Sequence, residues 1–462
     1  MFFLQARLIL EKILIIEHFE KFCGNMIEVH TLGGFLEIGR NMTVVRYKDE
    51  SVIIDMGLHM PNYISLTEEE DVTRVDYQKL LDAKATPDIR KVQKLAPSVK
   101  AIIPTHAHLD HVGAIPYFAP FFPNAQVLGT KFTCAVLRHI CEEENIRIKN
   151  KIIDLNSNSI YWISKNLKVE FVRITHSTPQ TVLVIIHTPE GKVAYANDYK
   201  FDNTPILGKK PNKQRLKKVA PVKLLIMDTL YGNKLGKTPS EAVASNMLKD
   251  ILFDEEINPK NAVIVTTFSS HIARIKSICD FSKKLKRQPV FLGRSLKKYL
   301  DAATESNIFK LPKNAVIFSY RRQVNKFLKE LREKPNKYLV TVTGHQAEKK
   351  AILARMADGD FGFKKDDAVV FSCNVIPGGD NEARREALET NLESKGVRVF
   401  EEVHVSGHAS REDHRMLLEI LSPELVIPAH STIDAAKSFS DFCESKKLGK
   451  TIISREGEQL NI

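Results

Sequence analysis

The sequence predicts an α/β protein whose strands carry ligand-type residues at their carboxyl ends. Apolar segments of strand length alternate with segments of helical periodicity, which is typical of a sheet flanked by helices. Several of these strands end in histidine or aspartate. At 462 residues, with 43% hydrophobic and 27% charged residues, the chain is long enough for two or three globular domains.

Residues 1–25 stand apart from the rest of the chain. They are apolar but carry Arg7, Glu11 and Lys12, so no run approaches the length that a membrane span needs. The pattern indicates one amphipathic helix. Because the segment after Met26 reads as the first strand of a domain, we expect residues 1–25 to be a dispensable extension or to precede the natural start.

The first half of the folded chain is rich in strands. Turn residues separate the first three of them, which are predicted over residues 27–32, 42–47 and 51–55. Asp55 ends the third strand in the segment IIDMG. Residues 60–97 are polar and punctuated by proline, and we expect helical portions there.

A histidine cluster follows the next buried strand, AIIPT. On an extended segment His106 and His108 point the same way, so both can bind one ion. Asp110 and His111 follow where the chain turns, and can face a second ion. A helix is expected to begin at Val112. Imidazole nitrogens and carboxylate oxygens are ligands that zinc prefers, so the motif indicates a metal site rather than a loop rich in histidine by chance.

Later strands repeat this arrangement of apolar residues followed by a ligand-type residue. The strand at 169–174 leads to His176, the one at 192–196 leads to Asp198, and the one at 222–227 ends before Asp228. Between them, residues 209–218 (KKPNKQRLKK) form a basic loop. This loop is either a solvated connection or an RNA contact.

From about Thr238 the pattern changes to strands and helices in alternation, which predicts a parallel sheet. Helices are predicted at 239–253, 272–286, 295–306 and 346–356, and strands at 261–267, 289–292, 338–343 and 368–372. The last part of the chain returns to motif-bearing loops, HVSGHAS at 404–410 and LVIPAHS at 425–431.

The overall charge of the chain indicates the chemical class of its binding partner. Lysine and arginine outnumber aspartate and glutamate, 68 to 56, and the net charge of +12 favours polyanionic partners, with nucleic acid first among them. The six cysteines are scattered without a CxxC pair, which argues against a disulfide framework and for a reducing cytoplasm.

The order of these motifs resembles a known family. HAHLDH after a strand, followed by His176, Asp198 and His430, resembles the metallo-β-lactamase fold. TLYGN, TTFSSHIAR and HVSGHAS are similar to the three added motifs of the β-CASP nucleases. Together with LGGFLEIGRNM, GRS, TGHQAE and IPG, they most resemble ribonuclease J in its shorter archaeal form. The sequence departs from that family in HQAEKK, where a glycine and a proline are usual, and at Ser431, where glycine is usual.

The resemblance implies a four-layer αββα metallo-β-lactamase domain with a β-CASP domain inserted into it. After the extension at 1–25, the first part of the catalytic domain would cover residues 26–236 and its second part residues 403–462. The β-CASP domain would cover 237–402. The implied activity is 5′→3′ exonuclease action on 5′-monophosphorylated RNA, with endonuclease activity in addition, in RNA processing and decay.

The resemblance also assigns the metal ligands. It implies one zinc ion held by His106, His108 and His176, a second held by Asp110, His111 and His430, and Asp198 between them. Manganese is left open as the working ion. Asp55 would orient a ligand histidine or cap its strand, and Asp228 would likewise lie behind the ligands.

Asp110 and His408 are the candidate catalytic residues. His408 would donate a proton to the departing oxygen or hold phosphate charge, unless it is a structural histidine in a glycine turn. His404, Ser406 and Gly407 would surround a phosphate, and His271 would contact phosphate or bridge the domains. The 5′-phosphate side would be lined by Ser269, Ser270, Arg274, Arg294 and Ser295.

Three other functions remain open from the sequence alone. A small-molecule hydrolase such as a thioesterase could use the same fold, a non-catalytic RNA-binding scaffold would lack metal, and a β-CASP nuclease could act on DNA. We expect RNA as the partner and no membrane, and leave a homodimer open.

Overall fold

The computed structural model describes residues 26–69, 75–255, 257, 259–376 and 380–462. The predictions for residues 1–25, and for the last two residues of the IPG motif, lie outside the described residues. No helix in the described part is long and apolar enough to cross a membrane.

Two seven-stranded sheets lie face to face. Their spatial orders are β20-β1-β2-β3-β4-β5-β6 and β19-β18-β11-β10-β9-β8-β7. In chain order the strands are β1 Ile27–Gly33, β2 Met42–Tyr47, β3 Glu50–Ile54, β4 Val99–Ile103, β5 Gln126–Thr130, β6 Ile152–Leu155, β7 Ile160–Trp162, β8 Lys168–Arg173, β9 Val182–Thr188, β10 Gly191–Ala196, β11 Leu224–Asp228, β18 Leu425–Ala429, β19 Lys450–Thr451 and β20 Gln459–Asn461.

Apolar side chains from alternate positions of both sheets fill the space between them. Val29, Ile54, Phe171, Val184 and Ile226 belong to this single buried cluster. Alternation places the neighbouring residues of each strand on the outer faces, where helices cover them, because successive side chains of a strand point to opposite faces. The result is the four-layer helix–sheet–sheet–helix arrangement that the family resemblance implied.

A third sheet is six-stranded and wholly parallel, in the order β14-β13-β15-β12-β16-β17. Its strands are β12 Val263–Thr266, β13 Gln288–Leu292, β14 Val316–Phe318, β15 Tyr338–Val342, β16 Ala368–Phe371 and β17 Arg398–Phe400. Since all six run the same way, their carboxyl ends share one edge.

The helices connect these strands and cover the sheets. They are α1 Met60–Glu69, α2 Tyr77–Asp82, α3 Leu109–Val112, α4 Ile115–Phe118, α5 Lys131–Glu143, α6 Lys213–Val219, α7 Glu241–Leu252, α8 Ile272–Lys284, α9 Arg294–Glu305, α10 Arg321–Glu333, α11 Ile352–Arg355, α12 Asn381–Glu393, α13 Arg411–Leu421 and α14 Ile433–Lys446. Helices α8 and α9 share a buried cluster with α5, which joins the third sheet to the first.

Four sequence predictions of helices and loops were wrong. The segment LVIPAHS at 425–431 is not a loop throughout, because its first five residues form strand β18. No helix begins at Val112; instead α3 ends there, and Asp110 and His111 lie inside it. Residues 346–356 are helical only from Ile352, since the preceding segment forms turns, one of them at Lys349 and Lys350. The basic loop at 209–218 contains the start of α6, which buries Leu216 and Val219.

Candidate active site

Three polar residues that follow strands adopt left-handed backbone conformations. The φ angles of Asp55, Asp198 and His430 are 59°, 54° and 50°. Such angles are uncommon for residues other than glycine and cost free energy, and they concentrate at functional sites. Asp198 Oδ1 lies 3.8 Å from His430 Nδ1, and Asp55 contacts His111, whose Nε2 lies 3.3 Å from the same oxygen of Asp198.

The histidine loop is fixed by backbone hydrogen bonds on both sides of α3. Met56 N donates to His111 O at 2.8 Å, and Leu58 N donates to Leu109 O at 2.9 Å. Gly57 lies between these bonds, and a Cβ there would come within 1.7 Å of Asp110 O. Only glycine allows this close approach, so the glycine of IIDMG positions the metal-type residues that follow β4.

Histidine and aspartate side chains form two groups beside Asp198. The donor atoms of each group lie within 4.8 Å of one another. The first group is His106, His108, His176 and Asp198, and the second is Asp110, His111 and His430; Asp198 and His430 also form an overlapping set with His408. The structure thus brings together all the predicted metal-ligand candidates, in the two sets that the resemblance implied.

Asp198 presents one carboxylate oxygen to each group. Its Oδ2 is 3.5 Å from Nε2 of both His106 and His176. Its Oδ1 is 3.3 Å from His111 Nε2 and 3.8 Å from His430 Nδ1. Oδ1 is buried and has no hydrogen-bond partner among the described residues, which is costly for a carboxylate unless a cation is bound. The donor set fits a metal on each side of Asp198.

The outer ring nitrogens of three histidines have partners that turn the other nitrogen inward. His111 Nδ1 donates to Asp55 Oδ2 at 2.8 Å, and His176 Nδ1 donates to Gly407 O at 2.8 Å. His106 Nδ1 is 3.0 Å from Thr105 Oγ1. Partners of this kind fix the ring orientation and the tautomer of metal-binding histidines.

Burial and neighbouring carboxylates shift the pKa values of the histidines in the two groups in different directions. Burial lowers the pKa of His106, and lowers the pKa values of His108 and His176 well below their usual value. For His111 burial acts in the same direction, but the carboxylates of Asp198 and Asp110 outweigh it and raise the pKa well above the usual value. The first group therefore consists of neutral imidazoles, the form that binds metals.

His408 forms a buried pair with a carboxylate at the end of β11. Its Nδ1 donates to Asp228 Oδ2 at 2.8 Å, and its Nε2 lies 3.8 Å from Asp198 Oδ2. Burial would lower its pKa, but the carboxylates of Asp228 and Asp198 raise the pKa to about 9. The ring stacks on His430 with centroids 5.3 Å apart. The raised pKa favours the protonated form of His408, which lies at the margin of the two groups.

A buried lysine donates hydrogen bonds to the loop that carries His408. Lys200 is buried, and its Nζ donates to Ser406 O at 2.8 Å and to Pro239 O at 3.0 Å. Ser406 Oγ accepts from His408 N at 3.0 Å. A Cβ on Gly407 would lie 2.6 Å from the His176 ring, so the backbone contact with that histidine requires glycine.

The prediction that Arg274 lines the phosphate side was wrong. Arg274 is fully buried, and its Nε and Nη2 donate to both oxygens of Glu241 at 2.7 and 3.0 Å. Its Nη1 donates to Ser372 O and Val403 O. His271 Nε2 lies 3.2 Å from Glu241, so this histidine is also part of the buried network. Of the two roles considered for His271, this contact favours the structural one.

The other candidates for the phosphate side lie at carboxyl ends of the third sheet. Ser269 and Ser270 follow β12, and exposed Arg294 and Ser295 open α9 after β13. A cavity of about 380 Å³ opens beside the histidines. His176, Ser177, Gln180, Lys200, Arg173 and His271 contribute to its lining.

Sequence reasoning missed two residues that position the site. Asn41 Nδ2 lies 3.1 Å from His111 Nε2 and 2.9 Å from His430 Nδ1, which joins two segments far apart in sequence. Tyr299 of α9 donates its hydroxyl to Ala107 O at 2.9 Å, between the first two histidines. Asn41 lies within the LGGFLEIGRNM motif, which was a usable signal; nothing in the sequence marked Tyr299.

Three family models together match most of the chain. The model described as "Metallo-beta-lactamase superfamily" matches residues 37–255. The model "Ribonuclease J, beta-CASP domain" matches residues 260–388, and "Zn-dependent metallo-hydrolase RNA specificity domain" matches residues 397–454.

Similar proteins extend over nearly the whole chain. It is 42% identical to "Ribonuclease J" of Pyrococcus abyssi over 445 residues, 95% of this chain and 98% of the relative. It is 39% identical to "Ribonuclease J" of Methanocaldococcus jannaschii, over 94% and 98% of the two chains. A crystal structure titled as a protein of unknown function from Enterococcus faecalis superposes with a TM-score of 0.65 at 17% identity, covering 95% of this chain and all of that one. That likeness concerns the fold alone.

Proposed function

The chain belongs to the ribonuclease J family, and from this premise we propose how it cuts RNA and from which end. It is a metal-dependent ribonuclease with a metallo-β-lactamase and a β-CASP domain. We propose that it is a 5′→3′ exonuclease on 5′-monophosphorylated RNA that also cuts internally. We further propose that the β-CASP domain covers residues 237–402.

The observation that carries the proposal is the pair of donor groups on the two oxygens of Asp198. His106, His108 and His176 would hold one ion, and the second group of Asp110, His111 and His430 would hold the other. We propose zinc in both places, since neutral imidazole and carboxylate donors suit it. Two such ions, when bound, activate a water and stabilise the attacking and leaving oxygens at a phosphate.

Residues of the chain supply the remaining steps. Asp55 and Asn41 hold His111 so that its Nε2 faces Asp198. His408, oriented by Asp228, is the group placed to give a proton to the departing 3′ oxygen. Its side chain retains 17% exposure, which leaves it reachable from the cleft.

The loop 404–410 would bind the phosphate that is cut. Ser406 and Gly407 fix its backbone next to His176, while Lys200 adds positive charge behind the loop. Arg294 and Ser295, exposed at the carboxyl end of β13, remain our candidates for the 5′-phosphate side.

The five cysteines of the described part are free thiols, which suits a reducing compartment, and we propose a cytoplasmic location.

The experiment uses one unstructured RNA that is labelled at the 5′ end in one sample and at the 3′ end in another. Each RNA carries either a 5′-monophosphate or a 5′-triphosphate, and Asp110→Ala protein is the control. We expect the 5′ label to appear at once as mononucleotide, only from the monophosphate RNA. Asp110→Ala should abolish cleavage but keep RNA binding, because binding depends on many basic residues.

Other outcomes point to other functions. Discrete fragments that do not depend on the 5′ end would make the enzyme an endonuclease and remove the 5′-phosphate assignment. Cleavage by Asp110→Ala at near wild-type rate would contradict the metal assignment. Equal cleavage of the matching DNA would favour a β-CASP nuclease without RNA selectivity, and turnover of a thioester without RNA cleavage would favour a small-molecule hydrolase.

A further inference from the structure

We propose that the exposed face of helix α10, together with Tyr320, binds single-stranded RNA outside the active site. The proposal rests on the ribonuclease function proposed above, and extends it from the cleft to the far edge of the β-CASP sheet. The α10 basic face is defined here as Arg321, Arg322, Lys326 and Lys329.

The helix separates an apolar side from a basic side. Val324, Phe327, Leu328 and Leu331 pack into the core on one face of the third sheet. The four basic residues occupy the opposite side at helical spacing and are exposed. From position 321 to position 329 the stripe extends about 12 Å along the helix.

The four basic side chains form no ion pairs within the described parts of the chain. Across the described parts of the chain, none of their side chains has an ion-pair or hydrogen-bond partner. Two nearby acids are committed elsewhere: Asp360 pairs with Arg355, and Glu330 accepts from the Tyr338 hydroxyl. Glu333 lies four residues after Lys329 on the same helix and forms no ion pair with it. The basic face is therefore free to meet a polyanion.

An exposed aromatic ring stands at one end of this face. Tyr320 immediately precedes α10 and is 68% exposed, which is unusual for a large aromatic side chain. Rings exposed beside a row of cations are the usual components of surfaces for single strands, where bases stack on the ring and phosphates meet the cations. A duplex offers no unstacked base to such a ring, so we assign single-stranded RNA as the occupant.

The position of the surface links it to the candidate active site. Tyr320 and Arg321 follow β14, Arg294 follows the adjacent strand β13, and Ser270 follows β12. All of these strands are parallel, so these residues lie along one edge of the sheet. β14 is three strand positions from β12, a lateral distance of roughly 14 Å. RNA leaving the cleft along this edge reaches the α10 basic face after passing Arg294.

The test compares a short and a long RNA. A 5-nucleotide RNA would occupy only the cleft, whereas an unstructured 25-nucleotide RNA would also reach α10. The test variant combines Arg321→Gln, Arg322→Gln, Lys326→Gln and Lys329→Gln. The matched control combines Lys283→Gln, Lys284→Gln, Lys286→Gln and Lys313→Gln, which removes four exposed charges near the amino ends of β13 and β14.

Binding is measured by fluorescence anisotropy, with every protein in the Asp110→Ala background so that no RNA is cut. We expect the test variant to bind the 25-mer at least about tenfold more weakly at low salt, with the slope of log affinity against log salt reduced by roughly 2 to 3. The control variant should bind as the parent does, and the 5-mer should not discriminate among the three proteins.

Tyr320→Ser is a second, independent variant. We expect about fivefold weaker binding of the 25-mer, with the salt slope unchanged, because stacking does not depend on counterions.

Two results would overturn the proposal. Equal losses in the test and control variants would make the α10 basic face an ordinary solvated surface. Equal loss of binding for a 25-base-pair duplex would show that a single strand is not its occupant. Because the readout is binding, failure of the wild-type enzyme to cut either RNA would count against the proposed function and not against this surface.

Discussion

Two carboxylate–histidine pairs of the same length lie on opposite sides of Asp198. His111 Nδ1 donates to Asp55 and His408 Nδ1 donates to Asp228, each at 2.8 Å. In both pairs a buried aspartate next to a strand end aims the far ring nitrogen toward Asp198.

The pairs differ in what surrounds the histidine. His111 is fully buried, and its Nε2 is 3.3 Å from Asp198 and 3.4 Å from Asp110. His408 lies on a loop, keeps partial exposure, and its Nε2 is 3.8 Å from Asp198. The same pair thus suits metal holding where it is enclosed by carboxylates, and proton transfer where it faces the cleft.

The largest expected effect comes from removing the enclosed histidine. His111→Ala should lose the ion of the second group, and cleavage should fall by more than the roughly 100-fold that loss of an outer partner costs. Metal analysis by mass spectrometry and single-turnover cleavage test this. Full metal content in this variant would contradict the role of His111 as a metal ligand.

Removing the exposed histidine should separate chemistry from metal binding. His408→Ala is expected to slow cleavage by roughly 10²- to 10⁴-fold, the usual contribution of a general acid, and to keep its full metal content. The same two measurements apply. If metal were lost as well, His408 would be a ligand, as its position near His430 and Asp198 permits.

Substituting the aspartate of each pair tests whether the two pairs have different roles. Asp55→Asn should weaken metal affinity by roughly 10- to 100-fold, because the amide no longer fixes His111 as a carboxylate does. Asp228→Asn should leave metal affinity unchanged and lower the cleavage rate, because it perturbs only His408. Competition with a chromogenic chelator measures the affinities. Equal effects of the two substitutions on metal affinity would mean that both pairs orient metal ligands.

The smallest effect is expected behind the loop that carries His408. Lys200→Met removes the donor to Ser406 O and Pro239 O, and should lower stability by about 1–3 kcal/mol and kcat by a few-fold. Lys192→Met is the control, since that lysine also donates to a backbone carbonyl, Val219 O, but away from the site. Thermal unfolding and kcat distinguish them: the control should lose stability without losing kcat.

Much of the fold could be predicted because its signals are local. Seven of the fourteen strands of the two facing sheets were placed within two residues of their observed bounds, since their apolar runs are unbroken. The segment at 346–356 was assigned wrongly because helix-favouring residues there form turns that pack as a loop. Helix α10 was not singled out, although its pattern of basic and apolar residues was visible in the sequence.

Some residues of the candidate site could likewise be predicted from local patterns, and others could not. Strand-end residues such as Asp198 were identifiable from their position after apolar runs. Arg274 was misassigned because its type suits a phosphate, and only the fold shows that its Nε and Nη2 donate to the two carboxylate oxygens of Glu241. Lys200 and Tyr299 act through partners distant in sequence, and no local pattern reports such contacts.

The hydrogen bond from Tyr299 to Ala107 O has a mechanical consequence. Helix α9 begins at the edge of the third sheet, yet its tyrosine is tethered to the peptide between His106 and His108. The third sheet therefore cannot tilt away from the histidine loop at this point without breaking that bond or dragging the peptide with it. Any such tilt would also shift the peptide that carries the first two imidazoles, so one hydroxyl links the position of the third sheet to the alignment of His106 and His108.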